Sequence, residues 1–450
     1  MKKFIKLACL SLTLVMMITA FVACGDKTKG TDVSETETAA EQEENLVEKY
    51  TEIKKIPYKP LGRTQQLFDQ LAADWTAAGI AFEATCKGDV SINMTVGGTR
   101  KFTVVVDGTE YKDVVMQSGD NVIARDLNYG KHSFSIMNQE GYSVTVDING
   151  VTLCGTYEEA PRDSELLIEY IGDSIVHGSG LGSADYSAGI QDGTLTYAFL
   201  AAKELGADYT IMANGGMGVK WGTDYNGANV NRSMKKYPYL NDKERDNILY
   251  TGYMRSADLV VIGLNTNDNY RFKLQYERDR LEFRASKTTA TEADIAAHME
   301  EWLTQNAGAT EEQKATEILK YKASKMSCTW SEVDAHSKAF VASKMDELGI
   351  ELERLILAIE KNHGKTVPII FARGMMEVDD WLYLTAVDYM TSLIEDEWQN
   401  KYGNHIIKVA RLTPDRTGYA NHPTREGAAV QGAELAAFIR DEFPELVPAN

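Results

Sequence analysis

Four short stretches carry residues whose types suit acyl chemistry: Gly172-Asp173-Ser174, "ANGGMG" at 213–218, "LNTND" at 264–268, and "NHPT" at 421–424. Ser174 offers a hydroxyl for attack on a carbonyl. His422 offers an imidazole that takes the hydroxyl proton and returns it to a leaving alcohol. Backbone N–H groups of the glycine-rich turn and the amide of Asn267 would stabilise the resulting oxyanion. Taken alone, Gly-Asp-Ser is ordinary punctuation after a strand, and a plain loop explains it equally well. The stretches gain meaning only if the fold brings them to one place.

The elements around them supply that condition. From residue 164 onward, apolar strand-like runs recur at "LLIEYIG", "DYTIMANG", "ADLVVIGL", "TVPIIFARG" and "NHIIKVARL". Helical stretches such as "LTYAFLAAKELG" and "VDDWLYLTAVDYMTSLIEDEW" lie between them. Near-continuous apolar strands alternating with amphipathic helices imply a parallel sheet covered on both faces. Ligands gather at the carboxyl ends of such strands. Each of the four stretches follows one of these runs, so hydroxyl, glycine turn, amide and imidazole are expected at one edge of the sheet.

Before residue 164 the pattern differs. From about Leu61 to Tyr157, short segments alternate apolar and polar residues between Gly, Asp and Asn, among them "GIAFEATC", "VSINMTV", "DNVIARDL" and "KHSFSIMN". This spacing predicts a β-sandwich over 57–158, with His132 a strand residue making a local hydrogen bond. The first residues are no part of the fold: Lys2, Lys3 and Lys6 precede an apolar stretch ending in "FVAC", the plan of an export signal over 1–23. Residues 24–56 are acidic and rich in Ser and Thr, and read as a flexible tether.

Composition narrows the function classes. The 450 residues suffice for two or three domains, and 44% hydrophobic with 25% charged residues is ordinary for a globular protein. A formal charge of -19 leaves no basic stripe to offset phosphates, so nucleic acid is excluded as a partner. No P-loop, no GxGxxG after a strand and no GxSxG elbow occurs. Cys86, Cys154 and Cys328 show no zinc spacing, nor do His298, His336, His363 and His405, so no metal and no cofactor is expected. Cys86 and Cys154 are read as either a disulfide or buried thiols.

With these residues in view, the order of blocks resembles the SGNH (GDSL) hydrolases: "GDS" early in the α/β domain, a glycine turn, an "NxND"-type strand end and a late "HPT". The resemblance implies Ser174 as nucleophile, its own N–H, a Gly218 N–H and the Asn267 amide as oxyanion donors, and His422 as base. Gly216 is the alternative to Gly218. "AGIAFEATCKGDVSINM", "VVVDG", "GKHSFSIM", "YIGDSI" and "HPTREGAAVQGAELA" further resemble the family 2 carbohydrate esterases, which join a jelly-roll-like domain to an SGNH domain of three α/β/α layers and remove acetyl groups from plant polysaccharides. "FVAC" resembles a bacterial lipobox, which implies Cys24 as the lipidated first mature residue on the outer face of a membrane.

Three departures from the family pattern stand out. The position three residues before the histidine, an aspartate in SGNH enzymes, is Tyr419. The resemblance allows for this, because some family 2 esterases work as a Ser-His dyad with a backbone carbonyl in the aspartate's role; a decayed site is the other reading, and Asp415 is a candidate substitute. The usual glycine of the third block is Asn265. Finally, about 270–362 form an insertion with helical character, in "EADIAAHMEEWLTQ" and "EEQKATEILKYKASKM" for example. It is read as a helical layer on the domain's flank, with a lid as the sharper alternative.

Among residues near the site, Asp173 is read as shaping the turn or meeting substrate, and His177 as part of a glycine-rich rim. Trp221 is read as a sugar-stacking face or as core. Trp381 and Trp398 are expected to be packing residues. The reading that follows is a surface lipoprotein esterase over 24–450, with an SGNH domain at 164–450, acting on an acetylated carbohydrate. A lipid or cell-wall acyl hydrolase or acyltransferase and an inactive glycan-binding lipoprotein are the alternatives. The sequence sets no oligomeric state.

Overall fold

The computed structural model describes residues 46–141, 145–222, 237, 239, 247–252, 255–264, 266–398, 401, 403 and 405–447. Cys24, the export signal, most of the tether and Asn265 lie outside them. The end of the stretch read as tether is structured: Glu48–Glu52 (β1) pairs antiparallel with Val146–Tyr157 (β9), and Ile53 is fully buried.

The N-terminal region is a nine-stranded antiparallel sheet of Glu48–Glu52 (β1), Lys59–Leu61 (β2), Gln65–Leu67 (β3), Gln70–Ala72 (β4), Gly79–Val96 (β5), Arg100–Val106 (β6), Thr109–Met116 (β7), Gly119–Asn138 (β8) and β9. Where "GIAFEATC" and "VSINMTV" suggest two strands, there is one of 18 residues, and "DNVIARDL" with "KHSFSIMN" makes one of 20. The chain does not turn at Gly88 (φ +75°); it passes through register shifts between Cys86 and Ser91, so the glycine serves a bulge. Alternation along β5 still buries one face, where Phe82, Ile92, Phe134 and Val151 share a core. Cys86 and Cys154 are free thiols, with Cys86 facing Gly155 across the ladder rather than Cys154. His132 bonds Asp107 and the Asn128 carbonyl locally.

The five apolar runs become a parallel sheet of Leu167–Gly172 (β10), Asp208–Ala213 (β11), Leu259–Gly263 (β12), Ile369–Arg373 (β13) and Ile407–Arg411 (β14), in the order β11-β10-β12-β13-β14. Three of these strands, β10, β12 and β13, are buried at every residue, as a sheet covered on both faces requires. Ser174–His177 (α1), Tyr197–Leu205 (α2), Trp381–Ser392 (α7) and Arg425–Glu442 (α8) belong to this domain. The insertion contributes Thr266–Ser286 (α3), Glu292–Gln305 (α4), Glu311–Ser324 (α5) and Trp330–His363 (α6). Thr291, Thr310 and Thr329 start α4, α5 and α6 as complete capping boxes. Among the described residues no helix is long and apolar enough to cross a membrane.

Candidate active site

The chain answers locally why β10 ends in a serine. Gly172 closes the strand, and a Cβ there would lie 2.1 Å from a methyl of Val176, so only glycine lets the chain fold back this tightly. Asp173 then caps α1 by accepting the Ile175 N–H at 2.9 Å. Gly178, left-handed at φ +84°, ends the helix one turn later. Ser174 is therefore the first residue of a short helix, where a backbone N–H has no intrahelical partner.

His422 reaches it from the other end of the domain. Its Nε2 lies 2.7 Å from Ser174 Oγ, and its Nδ1 lies 2.9 Å from the Tyr419 carbonyl oxygen. A carbonyl only accepts, so Nδ1 carries the proton and Nε2 presents a lone pair to the serine hydroxyl. The Tyr419 carbonyl also accepts the His422 backbone N–H at 2.8 Å. This geometry is held by strain: Ala420 (φ 48°, ψ 39°) and Asn421 (φ 63°) are left-handed, at roughly 1–2 kcal/mol per residue. Burial pushes the His422 pKa below the ordinary imidazole value, partly opposed by the Tyr419 and Ala420 carbonyls.

Asp415 does not take the place of the missing aspartate. Its carboxylate accepts the N–H and hydroxyl of Thr417 and the N–H and hydroxyl of Thr424, which hold its pKa down at about 2 against a desolvation penalty. Thr424 caps α8, so Asp415 anchors the helix start that follows His422.

The glycine turn and Asn267 lie against one another. Asn267 Nδ2 donates to the Met217 carbonyl at 2.8 Å and approaches Asp173 Oδ2 at 3.4 Å. A trans peptide directs its carbonyl and its N–H oppositely. The contact with Met217 therefore turns the Gly218 N–H away from the Asn267 amide, and the expected convergence of these two donors is not made in this conformation. Gly216 (φ +78°) provides the left-handed step of the turn. Gly218 is required for space: a Cβ would sit 2.7 Å from the Trp221 carbonyl oxygen and 2.9 Å from Asp268 Oδ2.

Other expectations are corrected. Trp221 is 2% exposed with its ring 6.2 Å from Phe272, so it is core and offers no sugar face. Asp173 is fully buried and serves the helix cap rather than substrate; burial, with Asp268 nearby, pushes its carboxyl up to about 7. His177 is no rim residue: it is buried against the N-terminal sheet, where its Nε2 accepts the Gly141 N–H at 3.3 Å, and burial pushes its pKa down to about 3. Trp398 is buried as expected, but Trp381 is 66% exposed. Sequence reasoning overlooked Asp268, whose only signal was its place beside Asn267. Its buried carboxylate accepts the N–H groups of Val219, Lys220 and Trp221 at 2.7 to 2.8 Å, and burial pushes its pKa up to about 6. No cluster of three metal-ligating side chains occurs among the described residues.

No known family model matches the chain, and no curated protein matches it. Solved structures do. A family two carbohydrate esterase from Clostridium thermocellum, in complex with cellohexaose, aligns over 86% of this chain and 99% of its own, with a TM-score of 0.62 and 18% identity. The fold is that of the family 2 carbohydrate esterases. The family two enzyme from Cellvibrio japonicus aligns over 88% of this chain and 98% of its own, with a TM-score of 0.62 and 15% identity. An acetyl xylan esterase from Butyrivibrio proteoclasticus aligns over 88% and 99%, with a TM-score of 0.60 and 18% identity. The family 2 likeness thus spans both the antiparallel region and the parallel sheet.

Proposed function

We propose that the protein is a serine esterase that removes O-acetyl groups from carbohydrates. The observation that carries this reading is the continuous relay from the Tyr419 carbonyl through His422 to Ser174 Oγ, at 2.9 and 2.7 Å. A decayed site has no reason to keep the imidazole in the one tautomer that makes it a base, at the cost of two left-handed residues.

In this mechanism His422 Nε2 takes the hydroxyl proton as Ser174 Oγ bonds to the acetyl carbon. The imidazolium, held by the Tyr419 carbonyl, then gives the proton to the departing sugar oxygen. Water then bonds to the acetyl carbon as His422 Nε2 takes its proton; the Ser174 Oγ–acetyl bond breaks, His422 returns that proton to Ser174 Oγ, and acetate leaves. The oxyanion takes the Ser174 N–H. A rotation of the Met217–Gly218 peptide supplies the other donors in one motion, since it frees the Asn267 amide and swings the Gly218 N–H towards it. The acetyl xylan esterase among the similar folds, and the cellohexaose bound to another, favour an acetylated plant polysaccharide as substrate. The reading includes Cys24 as a lipid anchor that keeps the enzyme outside the cell.

The test is acetate release from p-nitrophenyl acetate, acetylated xylan and acetylated glucomannan by the full-length protein in detergent, beside Ser174→Ala and His422→Ala. Activity on the glycans that falls by about 10³-fold or more in both variants supports the reading. Activity on none of the three above the variants would sink it, in favour of a glycan-binding protein on an esterase fold. Activity on the small ester alone would redirect the substrate towards lipid or cell-wall esters.

A further inference from the structure

The helical insertion begins inside the site, not beside it. Its first helix, α3, carries both Asn267 and Asp268 in its opening turn. A carboxylate there ordinarily serves its own helix's free N–H groups. Asp268 also reaches across to three consecutive N–H groups of the glycine turn, Val219, Lys220 and Trp221.

Two further ties join Trp221 and Lys220 to the insertion. The Trp221 ring packs on Phe272 of α3, which in turn lies 6.4 Å from the ring of Phe340 on α6. Lys220 Nζ stands 3.6 and 3.7 Å from the carboxylates of Glu347 and Glu351 on α6. Nor does the root of the insertion have the few buried contacts of an element that opens. Phe272, Leu348, Leu352, Leu355 and Ile359 are fully buried in the core that includes Val260, Ile262 and Phe371 of the parallel sheet.

We propose that the insertion is a buttress for the oxyanion turn, and that Asp268 is its positioning residue. Fixing residues 219–221 leaves the Met217–Gly218 peptide, whose carbonyl accepts from Asn267, as the step that exchanges a contact to bring a donor into place without the turn itself drifting. This inference rests on the esterase reading of Ser174 and His422.

The experiment follows two signals in the full-length protein: the rate at which a fluorophosphonate probe labels Ser174, and kcat and KM for p-nitrophenyl acetate. Labelling reports the nucleophile, base and oxyanion donors without depending on the natural substrate, because Ser174 Oγ displaces fluoride at phosphorus. Asp268→Asn keeps the shape but has one acceptor oxygen, and its NH₂ would face an N–H. The expected result is a loss of about 10²-fold in kcat, the scale of one misplaced oxyanion donor, with KM within about threefold and labelling slowed alike. Lys220→Met and Phe272→Leu, milder changes that keep the buried carboxylate, are expected to lower kcat by about 3- to 10-fold at unchanged KM. They carry the test if Asp268→Asn does not fold. A folded Asp268→Asn that labels and turns over within twofold of wild type overturns the inference, as do Lys220→Met and Phe272→Leu variants that lose stability without losing kcat. Wild-type protein that is neither labelled nor active would instead overturn the esterase reading beneath it.

Discussion

At the scale of single residues, the base is oriented by a main-chain oxygen while the Asp415 carboxylate does structural work. This separates two substitutions that otherwise look alike. Loss of a triad aspartate costs about 10⁴-fold in kcat because the histidine adopts the wrong tautomer. Here Asp415→Asn leaves the Tyr419 carbonyl in place, so kcat on p-nitrophenyl acetate is expected to stay within about tenfold of wild type while Tm falls, through loss of the Thr417 and Thr424 hydrogen bonds. The pH dependence follows from the same environment. Only neutral His422 accepts the serine proton, and its folded pKa is lowered by burial. Activity is therefore lost only as pH falls through a value below the ordinary 6.5 or so, which a kcat/KM profile will read. An acid limb at or above that value would overturn the lowered His422 pKa.

At the scale of elements, four strand ends and the starts of three helices make the site. Ser174 opens α1, Asn267 and Asp268 open α3, and His422 lies two residues before the Thr424 cap of α8. Helix starts suit an oxyanion because their N–H groups are unsatisfied and the dipole favours negative charge. The conformation of the glycine turn at the end of β11 depends on space. Gly218→Ala would drive a Cβ into the Trp221 carbonyl and the Asp268 carboxylate. The expected outcome is a fall of about 10²-fold or more in kcat together with a lower Tm. Unchanged kinetics in a folded Gly218→Ala protein would show that the turn is less tightly held than its contacts indicate.

At the scale of the whole molecule, the antiparallel region is joined to the parallel sheet by buried polar groups. Arg63, fully buried, donates to the Tyr237 carbonyl at 2.8 Å, lies 3.7 Å above the Tyr250 ring, and stands 3.5 Å from Glu169 on β10. Glu169 also accepts the Tyr237 hydroxyl and His363 Nε2, at 2.8 and 2.9 Å, so the end of α6 meets the same carboxylate. Removing one member leaves a charge buried without its partner. Arg63→Ala is expected to lose about 3–5 kcal/mol in denaturant unfolding, with both regions melting in one transition by tryptophan fluorescence and circular dichroism. Separate transitions would show that the two regions fold independently. His177 makes a second joint, holding the nucleophile's helix against Gly141.

The sequence by itself determined the five parallel strands and the helical nature of the insertion, because both follow from local periodicity: apolar runs bounded by turn residues, and apolar spacing near 3.6 with threonine caps. It also marked Ser174 and His422, which the fold brings to 2.7 Å from one another. Glycine, serine, asparagine and histidine at successive strand ends have one common edge to share once the sheet is parallel. What only the tertiary structure decided involves contacts between segments far apart in the chain. The Tyr419 carbonyl became the acceptor for His422 through two left-handed residues that no spacing rule marks. Trp221 turned inward because Phe272 and Phe340 stand behind it. Asp268 looked like one more charge at a helix start until the fold set three N–H groups 2.7 to 2.8 Å from it. Periodicity is a property of neighbours in sequence, whereas a hydrogen bond across some fifty residues exists only once the chain has closed.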